Sequence, residues 1–402
     1  MFGLLRRNPE LRRLFAAHAV SRSGDAFNTV ALVVLVFNLT GSGIGVAGVV
    51  VFEVVPVLLF GPVAGVLADR FPRRSVMLAA DVGRAVFASV IVIWSGSLAV
   101  AYAIAFGLSL GTIAFNPAAS SLLPEVVEDE DLVTANTALW TVAVVAQIVI
   151  APAAGVLIGA FGVRLAFGVN SASFLLSAAL LRGLRSGRTG AGIVSRGWTG
   201  VAAGVYAVRS HPLLRRLAIV QVLASLSAGA TGGLLVVLAE QRLGVGPTGF
   251  GVLLAAIGVG AAIGPVLLRR FIRPGRRRWL FGPYALRGGV DLVLASTSSP
   301  FVAGAALVAY GMSTSTGMVA YQSTLQANVP AELRGRAFAF YDVLWNGSRL
   351  VSLAAGGIVV ELVGIRWVYV CGGILLLAAT AFGFRTRLDD ANPPPASTSY
   401  RG

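Results

Sequence analysis

The sequence predicts an all-α polytopic membrane protein in which twelve transmembrane helices form two pseudo-symmetric six-helix bundles. Of the 402 residues, 56% are hydrophobic and only 12% are charged, and the mean hydropathy is +0.82. Apolar runs of about 20 residues, long enough to cross a bilayer as an α-helix, recur along the whole chain. A series of short motifs also occurs twice, at a spacing of 203 residues. Length, apolar character and duplication together predict this fold class.

Helices are required because backbone groups in hydrocarbon must be satisfied within the protein, and the runs are too uniformly apolar for alternating barrel strands. The first predicted bundle covers residues 1–181. Its six spans follow one another with short polar turns between them: Leu14–Phe37, Ile44–Leu67, Val76–Trp94, Leu98–Leu123, Ala138–Phe161 and Val163–Leu181.

The second predicted bundle covers residues 217–387 and repeats this organisation. Its six spans are Leu217–Ala239, Gly249–Leu268, Trp279–Ala295, Pro300–Leu325, Ala337–Leu362 and Trp367–Phe384. Between the bundles, residues 182–216 are rich in Gly, Ser and Arg, and an amphipathic segment near Trp198–Arg209 is expected to lie on the cytoplasmic surface. Residues 388–402 contain three consecutive prolines and are predicted to be a disordered cytoplasmic tail.

The distribution of basic residues predicts the orientation in the membrane. All 32 of them are arginines, and most lie in the turns on one side of the predicted spans. Cytoplasmic loops carry such an excess, which places both termini in the cytoplasm and the protein in the inner (plasma) membrane. Arg164, Arg242 and Arg366 are the exceptions on the other side. The formal charge of +15 is therefore a topology signal, and we expect no nucleic-acid partner.

An internal repeat supports two halves in parallel orientation. Residues 9–14 before the first span are echoed by residues 212–217 before the seventh. The same spacing relates further pairs in order: Gly61-Pro62 to Gly264-Pro265, Arg73-Arg74 to Arg276-Arg277, and Arg84 to Arg287. Duplicated bundles of this kind hold substrate at the bilayer midplane between the halves and work by alternating access.

A charged hairpin between the second and third spans carries the most specific resemblance. It contains Gly65, Asp69, Arg70, Arg73 and Arg74 and resembles the signature loop of the major facilitator superfamily, although a proline stands at position 72 where glycine is usual. The resemblance implies that the glycine allows close helix approach, that the aspartate caps or pairs with a helix of the other half, and that the arginines steady the inward-closed arrangement. From the residues alone, each arginine can equally be a topology marker.

Three further segments narrow the resemblance to the macrolide-efflux and siderophore-exporter branch. They are Ser21–Asp25, Phe115–Ala118 and Ser121–Glu125. In span five, Pro152 and Gly155 belong to a degraded form of the antiporter motif of this superfamily, which favours export. Small residues and proline also serve simple helix packing in membranes, so that alternative stays open. The arginine that many drug/proton antiporters carry in span four is absent from residues 107–121.

Acidic residues deep in the spans are the candidates for proton coupling, because an ionised side chain there costs several kcal/mol unless it is paired or hydrated. Glu53 has apolar neighbours and no local cation, which makes it the first candidate for proton carrier. Asp25 and Asp342 are further candidates. A protonated carboxyl that hydrogen-bonds across helices is the alternative for Glu53, and a closed structural ion pair with Arg22 is the alternative for Asp25.

Polar and aromatic residues on the same helix faces are predicted to line the substrate cavity. His18, Arg22 and Asp25 follow one another at helical spacings of four and three, as do Asp342, Asn346 and Arg349 at four and three. The predicted cavity residues are His18, Arg22, Asn28, Tyr341, Trp345, Asn346 and Arg349. Arg287 and Asp291, four residues apart, are predicted to form a structural ion pair.

These observations predict a secondary transporter and no enzyme. The sequence has no phosphate-binding glycine loop with lysine and no cluster of metal ligands, so we expect neither cofactor nor metal. The prediction is a proton-coupled exporter of drugs, macrolides, siderophores or similar amphiphiles, with small-molecule substrate, protons and the lipid bilayer as its partners. A twelve-span protein of this type can act as a monomer. An importer of a metabolite or iron-siderophore is the alternative on the same fold, and a non-transporting sensor or scaffold is the alternative from another class.

Overall fold

The fold is described from a computed structural model, which describes residues 2–94, 96–128, 131, 135, 138–139, 141–142, 145–184, 208, 212–268, 277–328 and 331–385. Within these ranges the chain is helical and contains no β-strand. Most of the predicted linker and its amphipathic segment, and the whole predicted tail at residues 388–402, lie outside the described residues.

Among the described residues, the N-terminal half consists of one short helix, α1, and six further helices at the positions of the predicted spans. They are α1 (Phe2–Arg7), α2 (Pro9–Thr40), α3 (Gly43–Arg70), α4 (Arg73–Ile93), α5 (Leu98–Val126), α6 (Ala151–Phe161) and α7 (Val163–Leu181). A π-helical turn, Ala146–Ile150, leads directly into α6. The short α1 was not predicted.

The C-terminal half repeats the arrangement with one difference. Its helices are α8 (Pro212–Gly233), α9 (Leu235–Gln241), α10 (Pro247–Leu268), α11 (Arg277–Ser296), α12 (Pro300–Asn328), α13 (Ala331–Val363) and α14 (Ile365–Phe384). The single span predicted at Leu217–Ala239 is divided into α8 and α9 at Leu234, directly after two consecutive glycines, which are poor helix formers.

Ten of these helices are long and apolar enough to cross a membrane, and Ile148–Phe161 forms a shorter apolar helix. The helix α11 completes the twelve predicted spans. It is 20 residues long but begins with two arginines and contains two further charged residues, which lowers its hydropathy. The predicted twelve-helix fold class is confirmed.

Local signals in the sequence account for several helix ends. Asn8 caps α2, because its side chain accepts hydrogen bonds from the backbone N–H groups of Glu10 and Leu11. At the other end of α2, Gly41 adopts φ = 62°, a left-handed conformation that favours glycine. Ser97 caps α5 in the same way by accepting from Val100.

Helices of one half pack mainly on each other, and the two halves meet chiefly along two helix pairs, α3 with α13 and α6 with α10. We define the closed end as the end that carries the turns at residues 41–42, 162, 242–246 and 364, and the open end as the end that carries residues 71–72. At the closed end Glu361 accepts hydrogen bonds from the Ser42 hydroxyl at 2.6 Å and the Gly43 N–H at 3.0 Å. The halves are therefore joined near one end of the molecule.

Candidate functional site

A buried charge cluster in the N-terminal half is centred on Arg84 of α4, whose side chain is 1% exposed. Its guanidinium forms ion pairs with Asp81, one turn earlier on the same helix, and with Asp25 of α2 at 3.2 Å. It also donates to the Ser21 hydroxyl at 2.8 Å. Because two carboxylates and a hydroxyl surround one guanidinium, the buried positive charge is compensated within this half.

The predicted polar stripe of α2 joins this cluster. Arg22 lies 3.5 Å from Asp25 and donates to the Asn116 side-chain oxygen of α5 at 3.0 Å. Asp25 therefore has two arginine partners. His18 is buried with its ring centre 6.1 Å from that of Phe115, and its Nδ1 has no hydrogen-bond partner among the described residues. Asn28 is also buried, and its side-chain oxygen has no described partner.

Glu53 lies in the middle of α3, and its environment differs from that of Asp25. It is half-buried, and its carboxylate forms no ion pair or hydrogen bond with a described residue. Arg349 of α13, on the opposite half, and Asp25 both act on it electrostatically. The Arg349 guanidinium likewise has no partner at ion-pair distance among the described carboxylates. The two side chains therefore form no ion pair with each other.

Arg287 and Asp291 are both buried in α11, at 5% and 0% exposure, but the predicted direct ion pair between them is not formed. Arg287 instead donates to the Tyr310 hydroxyl at 2.7 Å, and its guanidinium lies 4.4 Å from the centre of the Tyr310 ring. Asp291 accepts from the Ser227 hydroxyl at 3.2 Å. Helical spacing allowed the pair, but neighbouring hydroxyls bind both side chains in this conformation.

A cavity of about 260 Å³ lies within the C-terminal half, between α8, α11, α12 and α13. Of the residues predicted for substrate contact or proton coupling, Tyr341, Asp342 and Trp345 line it, and Arg287 lines it as well. Asn346 donates from its side chain to the backbone oxygen of Asp342 at 2.9 Å and is not part of the lining.

Arginines of the signature loop bind neighbouring helices at the open end. Arg73 donates to the Ser121 backbone oxygen at 2.7 Å and forms an ion pair with Glu125, both on α5. Arg74 donates to the Arg182 backbone oxygen at the end of α7, at 2.5 Å. Helix C-terminal carbonyls attract cations, so these contacts stabilise the N-terminal half locally. Arg70 is exposed. The side chain of Asp69 and the surroundings of Gly65 lie outside what the structure describes.

The antiporter-like motif of span five lies at the contact between the halves. The Gly155 backbone oxygen accepts from the Thr248 hydroxyl of α10 at 3.3 Å. A Cβ atom at position 155 would lie 3.2 Å from the Gly251 Cα atom, so the close approach of the two halves depends on glycine here. Pro152 contributes to the same surface, because its Cα would lie 2.9 Å from a Cβ at position 251.

Sequence reasoning missed two members of the N-terminal cluster, Asp81 and Arg84, as candidate functional residues. Their spacing of three on α4 was a usable signal for an ion pair. The contact between Arg84 and Asp25 joins different helices and carries no such signal. Within the described residues there is no group of three or more His, Cys, Asp or Glu side chains that could hold a metal ion.

Comparisons with known proteins agree with this architecture. The family described as transmembrane secretion effector matches residues 5–399. The uncharacterized MFS-type transporter YfiS of Bacillus subtilis (strain 168) is 26% identical over 394 residues, which are 93% of this chain and 92% of that protein.

Two further similarities are more limited. Macrolide efflux protein A of Streptococcus pyogenes is 29% identical over 123 residues, 30% of each chain. The crystal structure of a bacterial homologue of the human lysosomal transporter Spinster, in an inward-facing and unoccupied conformation, superposes with a TM-score of 0.76 at 16% identity, covering 95% of this chain and 98% of that one. This second likeness shows the fold alone.

Proposed function

The chain belongs to the major facilitator superfamily of membrane transporters, and from this premise we propose that it is a proton-coupled exporter of hydrophobic or amphiphilic small molecules. Drugs, macrolides and siderophores are compounds of this kind. Transport proceeds by alternating access, with the substrate moving out of the cytoplasm as protons move in.

The proposal is supported chiefly by the carboxylate of Glu53, in the middle of α3, which has no hydrogen-bond or ion-pair partner among the described residues. A carboxylate at this depth is costly unless it is paired or protonated, and Asp25 beside it already has two arginine partners. Glu53 is therefore the group most suited to take up a proton and release it. Arg349, on the opposite half, supplies a positive charge that favours the ionised form whenever the halves bring the two side chains closer.

The positions of the arginines predict which end of the molecule faces the cytoplasm. Most arginine-rich turns lie at the open end, which makes the open end cytoplasmic under the positive-inside rule. Substrate is then expected to reach the space between the halves from the cytoplasmic end. In the proposed cycle, substrate enters from this side, the halves rock about the midplane, and protonation of Glu53 from outside accompanies release. Asp25 is the second candidate site for the proton.

Two similarities support export rather than import. The matching family is described as a secretion effector, and one stretch of the chain is similar to a macrolide efflux protein. Import of a metabolite or iron-siderophore is the alternative on this fold. Deleting the gene distinguishes them, because loss of an exporter raises the cellular content of the substrate and loss of an importer lowers it.

Proton flux in proteoliposomes tests the coupling. Purified protein is reconstituted with an internal pH dye and an imposed pH gradient, and macrolides, lipophilic cations and siderophores are added one at a time. We expect at least one compound to accelerate proton movement and Glu53→Gln to reduce that movement to the protein-free baseline. Glu128→Gln is the matched control, because Glu128 is an exposed glutamate at the open end. Substrate-driven flux that persists in Glu53→Gln contradicts the assignment of the carrier.

A further inference from the structure

The cavity of the C-terminal half is long for its volume. Its lining residues on α12 run from Ser313 to Leu325, a distance of roughly 18 Å along the helix at 1.5 Å per residue. The volume is only about 260 Å³, slightly below the roughly 300–1,000 Å³ of typical small-molecule sites. A small volume spread over this length suits one extended chain better than a broad ring system.

Arg287 provides the positive charge of this cavity and has unused donors. It is 5% exposed and belongs to the lining. Its Nη2 donates to the Tyr310 hydroxyl, whereas Nε and Nη1 have no hydrogen-bond partner among the described residues. Asp291, one turn further along α11, accepts from Ser227 and is not part of the lining. A buried guanidinium without a carboxylate partner favours a ligand that supplies an anionic acceptor.

Asp342 provides the negative charge of the same cavity at a different depth. It is exposed and has no ion-pair partner among the described residues. The end of α11 belongs to the closed end, since Arg242 donates to the Thr297 backbone oxygen at 2.8 Å. Arg287 lies nine residues before the end of α11, and Asp342 lies 21 residues before the end of α13.

These positions separate the two charges along the cavity. At 1.5 Å per residue they correspond to depths of roughly 14 Å and 32 Å from the closed end, so the charged groups lie on the order of 10 Å apart or more. Arg287 and Asp342 therefore do not neutralise each other directly, although both line one cavity. A ligand with opposite charges at its two ends supplies a counter-charge to both.

Aromatic side chains form the wall between the two charges. Tyr284 and Trp345 line the cavity at depths between those of the charged residues. Tyr321 and Tyr341 line it as well, but their hydroxyls donate to backbone oxygens of α8 at 3.4 Å and 2.7 Å. These two rings thus contribute carbon atoms rather than hydrogen-bonding groups. The middle of the ligand is therefore expected to be apolar.

We infer that the cavity binds an extended zwitterion, with its anionic end at Arg287, its cationic end at Asp342 and an apolar chain of about 10 Å between them. An ω-amino carboxylate has this chemistry. The inference rests on the proposed exporter function and narrows its substrate class. Neither charge alone selects the ligand, because the cavity contains one of each sign. A compact amino acid is excluded, since its two charges lie too close together to reach both side chains.

A matched series of chain compounds provides the test. ω-Aminooctanoate carries both charges, octanoate and octylammonium carry one each, and γ-aminobutyrate carries both at a shorter separation. Each radiolabelled compound is dialysed to equilibrium against purified full-length protein in lipid nanodiscs, with empty nanodiscs as the blank. We expect ω-aminooctanoate to bind about tenfold more tightly than the other three, because it alone reaches both charged side chains.

Two substitutions separate the contributions of the two charges. Arg287→Met is expected to weaken the binding of ω-aminooctanoate and octanoate about thirtyfold, because the arginine is buried, without weakening that of octylammonium. Asp342→Asn is expected to weaken the binding of ω-aminooctanoate and octylammonium about threefold to tenfold, because Asp342 is exposed, without weakening that of octanoate. In each variant, the compound whose binding persists shows that the protein is folded. Glu128→Gln should leave the binding of all four compounds unchanged.

Three outcomes overturn the inference. The first is binding of octanoate or octylammonium that is as tight as that of ω-aminooctanoate. The second is equally tight binding of γ-aminobutyrate, because the separation of the charges then has no effect. The third is ω-aminooctanoate binding that neither substitution weakens. The measurement uses no gradient, so a failure of proton coupling in the flux assay leaves this binding result independent.

Discussion

The two halves bind a pair of corresponding buried arginines through different partners. Arg84 and Arg287 lie 203 residues apart at corresponding positions of α4 and α11, and both are almost fully buried. In the N-terminal half, Asp81 and Asp25 bind the arginine directly. In the C-terminal half, a tyrosine hydroxyl replaces them, and no described carboxylate lies within ion-pair distance of Arg287. The arginine of the N-terminal half is therefore neutralised by carboxylates, whereas that of the C-terminal half is bound only by a neutral hydroxyl among the described residues.

A different residue stands at the position corresponding to Asp81 beside the cavity of the C-terminal half. The position 203 residues after Asp81 is Tyr284, which lines the cavity beside Arg287. Likewise, His18 packs near Phe115, and its counterpart Gln221 lines the cavity. Duplication thus supplied two equivalent scaffolds. Substitutions at a few positions made one into a packed charge cluster and the other into a candidate binding site.

Replacing each of the two arginines by methionine tests this difference between the halves most directly. Arg84→Met leaves Asp81 buried without a counter-charge, so we expect it to lower the free energy of unfolding by about 3–5 kcal/mol. Arg287→Met removes a hydrogen bond from a charged donor to a neutral hydroxyl, and we expect a smaller loss of about 1–3 kcal/mol. Denaturant unfolding in detergent, followed by circular dichroism, measures both.

Arg366→Met, which changes an exposed arginine outside both centres, is the control for these two variants. If Arg287→Met lowers the free energy of unfolding at least as much as Arg84→Met does, both buried arginines contribute equally to stability, and the contrast between the halves is wrong.

The difference between the arginines also shows how far the sequence could predict the site. Spacing along one helix predicted contact between Arg22 and Asp25, because both side chains lie on one face of α2. The same rule failed for Arg287 and Asp291, since spacing determines reach but not the choice among partners. Tyr310 and Ser227 come from other helices, and their approach depends on helix packing that no local pattern encodes.

The fold was more predictable than the site, for a physical reason. Every span must contain about 20 mostly apolar residues to cross the hydrocarbon core of the bilayer, so hydropathy and the repeat are sufficient to find the helices. The cavity depends on the tilt of four helices and on which rings turn inward. Tyr341 and Trp345 were predicted as cavity residues because aromatic rings can stack on an amphiphilic substrate, whereas Tyr284 and Tyr321 were not predicted. The division at Leu234 likewise lay within a continuous apolar run.

Corresponding helix pairs of the two halves also pack in different ways. In α10 and α12, backbone meets backbone: a Cβ atom at Gly311 would lie 2.8 Å from the Ala261 nitrogen. In α3 and α5, a Cβ atom at Gly48 would instead meet the ring of Tyr102, a side chain that can rotate away. We therefore expect Gly311→Ala to lower the free energy of unfolding by about 1–3 kcal/mol and Gly48→Ala to lower it less.

Gly304→Ala is the matched control on the same helix as Gly311, because nothing lies within 4 Å of the added Cβ atom. It should leave stability unchanged or raise it slightly, since alanine is the better helix former. Thermal unfolding of the three variants in one detergent ranks them. Equal losses in Gly48→Ala and Gly311→Ala indicate that both pairs are equally rigid, which contradicts the packing difference between the halves.

The smallest expected effect concerns the contact at the closed end, to which the halves contribute unlike groups. The C-terminal half provides the Glu361 carboxylate, and the N-terminal half provides the hydroxyl and backbone N–H groups at the start of α3. A carboxylate is favoured at a helix N-terminus. We expect Glu361→Ala to shift the equilibrium towards opening at this end by about 1 kcal/mol, roughly fivefold in population.

Maleimide labelling of a cysteine introduced at Ala47 reports this opening, because Ala47 is buried at the same contact, against Gly357 of α13. Cys371 is first replaced by serine, since it is the single natural cysteine and is exposed. Glu361→Gln keeps an acceptor oxygen but loses the charge, so its labelling rate should fall between those of the parent protein and Glu361→Ala. Unchanged labelling in Glu361→Ala assigns the closure to the apolar contacts of α3 with α13 and of α6 with α10, and the unlike polar groups then contribute nothing to it.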